Sequence, residues 1–150
     1  MRKKIAFAVT ATLLATTLTA CGGSGNDAPT RKIAQVTDGI DADLTTNGNH
    51  MALRNIQVQV NEAGDATLIG TIVNEVNTKD ALLAVAINRQ TIKISGIATP
   101  QNSPINFGGD SANATVVQPA SGLVAGQRTS VSFFFGLAGT ISVDALVVTA

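Results

Sequence analysis

The sequence predicts an all-β protein, an immunoglobulin-like β-sandwich of about seven or eight strands behind an export signal and a flexible linker. Three observations point there. From Leu53 onward, short apolar and β-branched runs alternate with polar residues at a period of two. Gly, Pro, Asn and Asp interrupt those runs about every 8 to 12 residues, the spacing of sandwich domains. No stretch carries the periodicity of an amphipathic helix.

The chain starts with a basic head, Arg2, Lys3 and Lys4, followed by the uncharged run Ile5 to Leu18. A positive head and an apolar stretch of this length make an export signal, too short for a comfortable membrane span. Leu18-Thr19-Ala20 then leads into Cys21, the single cysteine of the sequence. The Leu-Thr-Ala-Cys box resembles the lipobox of bacterial lipoproteins. That resemblance implies a diacylglycerol on the thiol of Cys21 and a mature chain that begins there. It places the protein on the outer face of a bacterial cell membrane, held by lipid. A lone thiol in an exported chain has no internal disulfide partner, which agrees. Two acyl chains anchor stably where one would be marginal. The alternative is an ordinary secretory signal with Cys21 left as a free thiol.

Removing residues 1–20 leaves 130 residues with seven Lys and Arg against ten Asp and Glu, a net charge of −3. No basic patch of the kind nucleic acid requires is present. The aromatic residues of the mature chain are Phe107, Phe133, Phe134 and Phe135, without Trp or Tyr. Such a set offers little for stacking sugars or bases.

Residues 21–49 read as the lipidated cysteine and a linker, and 50–150 as the sandwich domain. Gly22 to Thr30 is small and polar, and Asp41 to Asn49 is polar again. Asp38, Asp41 and Asp43 lack the alternate spacing, central Gly and distal Glu of a calcium loop, so a solvated acidic linker is expected.

Within the domain, Ile56, Val58 and Val60 alternate with Asn55, Gln57 and Gln59 as a half-buried strand. Glu62 to Asp65 turn, and Thr67 to Asn74 return as its hairpin partner. Ala81 to Asn88, apolar almost throughout and bounded by turn signals, reads as a central strand. Thr91 to Ser95 alternates again. Residues 96–112 hold Pro100, Pro104 and Gly108-Gly109 and make a long loop with a short edge strand near Ile105 to Phe107. Ala114 to Gln118 is a further strand. Thr129 to Phe135 and Thr140 to Val148 close the domain as a hairpin around Leu137-Ala138-Gly139.

Leu53 to Val58, Gly70-Thr71-Ile72-Val73-Asn74, Asp80-Ala81-Leu82 and the hairpin from Phe135 to Ala138-Gly139-Thr140, with the lipobox, resemble small actinobacterial envelope lipoproteins of the LpqE-like kind. These are distantly similar to periplasmic copper-chaperone-like sandwiches. The resemblance implies the fold and the compartment, and no known activity.

Catalysis needs a nucleophile with a base, a carboxylate pair or a metal. The sole histidine is His50, no G-x-S-x-G elbow exists, and Cys21 is consumed by the anchor, so no catalytic residue and no cofactor are expected. Copper is the sharper alternative, through His50 and Met51, since imidazole and thioether suit Cu(I). The resemblance implies a ligand set of His and Met drawn from several segments. The mature chain has one of each, side by side. A binding or scaffold module of the envelope is therefore the first expectation and a copper-binding chaperone the second. Phe134 should point away from the main core, covered by the 96–112 loop or meeting a partner. Asn102, Asn106, Asp110 and Asn113 on that loop could meet a polar partner such as peptidoglycan or an envelope protein.

Overall fold

The computed structural model describes residues 38–150. The expected signal peptide, Cys21 and positions 22–37 of the linker lie outside the described residues. Among the described residues nine strands run in chain order: β1 (Ile40–Thr46), β2 (Asn49–Val60), β3 (Ala66–Asn74), β4 (Asp80–Ile87), β5 (Gln90–Thr99), β6 (Ile105–Phe107), β7 (Val117–Gln118), β8 (Arg128–Phe135) and β9 (Thr140–Thr149). They hydrogen-bond in the order β5-β4-β8-β9-β2-β3-β6, with β1 added to β2 and β7 to β3. The fold is all-β, sandwich-like and nearly closed. At the closing seam, the Gln118 side-chain amide of β7 donates to Gln90 Oε1 of β5 at 2.8 Å.

Strand β2 changes partners along its length. It pairs antiparallel with β1 from Asn49 to Ile56, then parallel with β9 from Gln57 to Val60. A bulge makes the change. Asn55 adopts φ +53°, and the register with β3 slips between Arg54 and Gln57. Met51 and Leu53 therefore face the core before the bulge, and Ile56 and Val58 after it, all fully buried. Two neighbours accommodate the bend. The Asn55 backbone N–H donates to Asp41 Oδ1 at 2.7 Å. Gly70 lies across from it at φ +137°, where a Cβ would come within 2.6 Å of Ile56 Cδ1 and 3.0 Å of two carbonyl oxygens.

The domain begins earlier than position 50. Ile40, Ala42 and Leu44 pack against the core, and Asp41, Asp43 and Thr45 form the other row of β1. Asn47-Gly48, at φ 50° and 77°, is the two-residue turn into β2. Of the acidic residues that resemble linker filler, Asp41 and Asp43 are thus strand residues, and both have partners.

The expected 96–112 loop is also shorter, because β5 continues to Thr99 and β6 lies at Ile105–Phe107. The strand expected over Ala114 to Gln118 narrows to Val117–Gln118, with Ala114 in an isolated bridge to Phe107. Val131, Phe133 and Phe135 face inward, as alternation requires, and join Phe107, Leu68, Ile72 and Leu82 in one hydrophobic cluster.

Candidate functional site

His50 and Met51 are neighbours on β2, so their side chains leave opposite faces of the strand. Met51 enters the core and is fully buried. The side chain of His50, about one-third exposed, lies between two carboxylates: Nδ1 is 3.1 Å from Glu75 Oε2, and Nε2 is 3.6 Å from Asp43 Oδ1. Asp43 also accepts from Arg54 Nη2 at 2.8 Å. Local pairing builds the cluster: Thr45 lies opposite His50 in the β1–β2 hairpin, and the Glu75 N–H donates to the His50 carbonyl at 3.0 Å. Asp43 belongs to the stretch read as linker. The alternation from Ile40 to Leu44 and the Asn47-Gly48 turn were its available signals. Glu75 had none, since its approach depends on how β3 ends.

The donor chemistry tests copper directly. A Cu(I) site wants soft sulfur, and the Met51 thioether is held in the core. The two carboxylates approach opposite nitrogens of the ring, so they do not converge on one point. No group of three or more His, Cys, Asp or Glu able to hold a metal occurs among the described residues. The residues present do not make a closed copper site.

The loop residues are largely occupied within the fold. Asn106 Oδ1 accepts from Thr71 Oγ1 at 2.9 Å, and Asn113 bridges the Asn106 N–H at 2.8 Å and the Pro104 carbonyl at 3.0 Å. Asn102 and Asp110 are exposed at its turns, and the Asn102 backbone N–H donates to the Asn74 carbonyl at 2.8 Å. Phe134 stands half-buried on the outer side of β8, flanked in register by Ala84 of β4 and Thr140 of β9. The edge strand β6 pairs with β3, at the other end of the strand order. Near Phe134, Leu83 and Leu137 are both about half exposed, at 48% and 58%.

Asp80 and Asn74 are structural clamps. Asp80 accepts from the backbone N–H groups of Ala81, Leu137 and Ala138 at 2.7, 2.8 and 2.8 Å. It ties the start of β4 to the β8–β9 turn. Asn74 donates to the Thr78 and Thr99 carbonyls at 2.7 and 2.8 Å and accepts from the Val76 N–H.

No protein-family model matches the chain, and no curated protein matches its sequence. Solved structures do match. The apo PCuAC domain from PmoF1 is 17% identical with a TM-score of 0.57, covering 74% of this chain and 100% of that one. The copper-bound PCuAC domain from PmoF2 is 15% identical with a TM-score of 0.58, covering 74% and 99%. The apo form of the latter gives 15%, 0.54, 72% and 95%. This chain has the fold of a PCuAC domain. At these identities the likeness concerns the backbone architecture.

Proposed function

We propose that this chain is a non-enzymatic, extracytoplasmic binding domain of the copper-chaperone type. The observation that carries the reading is the fold shared with PCuAC domains, one of them solved with copper. That likeness favours copper handling over a metal-free scaffold, the reverse of the order the sequence suggests. The chain's own donors set the limits. Imidazole and carboxylate suit Cu(II) rather than Cu(I), and His50 with Glu75 or Asp43 offers an open attachment that a partner or solvent must complete. Titration of the full chain with Cu(II) and Cu(I) against chelators tests this. Micromolar Cu(II) binding lost in His50→Ala supports it, and absence of copper binding in either state rejects it.

A metal-free docking role is the second reading. Met51 in the core and the apolar group Leu83, Phe134 and Leu137 on the surface favour it. Envelope proteins captured by the wild type and lost by Phe134→Ser, with the variant still folded, would support that contact. Unchanged capture would dismiss it.

Anchoring through a lipid on Cys21, in a small envelope lipoprotein of the LpqE-like kind, belongs to the same proposal. Its support is the lipobox. Mass spectrometry of the mature N-terminus checks it: diacylglycerol on position 21 is expected, and a different or unlipidated terminus removes the anchor.

A further inference from the structure

A cavity of about 480 Å³ lies between the β4–β5 turn and the start of β8. Its polar wall is Asn88, Arg89, Gln127, Arg128, Thr129 and Ser130, with no carboxylate among the lining residues. This is unusual on a mature chain with a net charge of −3. Neither arginine has a carboxylate within 4.0 Å among the described residues, whereas Arg54 is paired with Asp43. Arg128 Nη1 donates to the Asp144 carbonyl at 2.9 Å, which uses one of the five guanidinium N–H groups. Asp144, opposite Ser130 on β9, supplies that carbonyl and no ion pair.

Arg89 adds a second sign. It occupies φ +67° in the two-residue β4–β5 turn, while the equivalent place in the β1–β2 turn holds Gly48. A non-glycine residue there is locally unfavourable.

We infer that this cavity is an anion site, and that it takes a phosphate group carried on a polar body. Two guanidinium forks match phosphate oxygens bidentately. The volume is several times that of phosphate alone, so the rest of the ligand lies within the wall of Asn88, Gln127 and Ser130. The site stands apart from His50, and its test is independent of copper.

The phosphate belongs to a phospholipid headgroup or to a soluble phosphorylated molecule. Titration of the full chain with inorganic phosphate, glycerol 3-phosphate and monomeric dihexanoyl phosphatidylglycerol, followed by NMR, separates them. Saturable shifts confined to residues 88–89 and 127–130 are expected. Arg89→Gln and Arg128→Gln should each weaken binding about tenfold, as loss of a charge-assisted contact implies. Lys93→Gln should leave it unchanged. Tighter binding of the lipid assigns the headgroup, and tighter binding of glycerol 3-phosphate assigns a soluble ligand. A response that fails to saturate with all three probes, or one that Lys93→Gln weakens as much as the arginine variants, overturns the site.

Discussion

Met51 and His50 are adjacent in sequence and opposite in role. Met51→Ala removes a fully buried side chain from the core and should cost about 2–5 kcal/mol. His50→Ala removes only part-exposed contacts with two carboxylates and should cost about 0–1 kcal/mol. Chemical denaturation of the two variants checks this, and similar losses would contradict the placement of Met51. Asp80 is the other residue where one atom group decides much. Its carboxylate satisfies three backbone donors across two distant segments. Asp80→Ala leaves those N–H groups without their acceptor and should destabilise by about 3 kcal/mol. Hydrogen exchange of Leu137 and Ala138 should accelerate in the same variant; unchanged protection would show that the clamp is not needed. Nothing around Asp80 in the sequence announces this, because two of its three partners are 57 and 58 residues away.

Among the strands, β2 depends on its bulge. Gly70→Ala would place a methyl group against Ile56 and two carbonyls at a φ that favours glycine. A loss of about 1–3 kcal/mol is expected, measured by thermal unfolding. A neutral result would mean that the bulge can relax elsewhere. Strand β1 makes a sharper case. A chain truncated to start at residue 50, where the sequence places the boundary, lacks Ile40, Ala42 and Leu44 and exposes the edge of β2. It should aggregate or melt well below a chain starting at residue 38. Equal melting temperatures would return β1 to the linker. Its alternation was legible, yet Asp41, Asp43 and the polar run after them made it look like solvent-exposed filler. The β8–β9 hairpin was easier to read, because Val131, Phe133 and Phe135 leave no doubt about which face is inward.

The molecule as a whole is held together by contacts remote in sequence. The parallel ladder from Gln57–Val60 to Leu146–Thr149 joins the two ends of the domain, and the Ala150 N–H donates to the Val60 carbonyl at 3.0 Å. Removing residues 146–150 deletes that ladder and the buried Val147. Cooperative unfolding should then be lost or shifted to much lower temperature, read by circular dichroism. A domain that still unfolded cooperatively at its original temperature would show the ladder to be dispensable. Such pairing also predicts slow folding, since distant segments must meet before their contacts stabilise one another.

The sequence by itself determined the all-β class, most of the strands, the inward face of β8 and the scarcity of catalytic side chains. Period-two alternation and turn residues are local signals, and local chemistry suffices to read them. Tertiary structure decided that Met51 is buried in the core, that Asp43 and Glu75 flank His50, and that Arg89 and Arg128 share one cavity. Each of these depends on which strands become neighbours. Strand pairing is selected by burial of the whole core, and no short window of sequence contains that information.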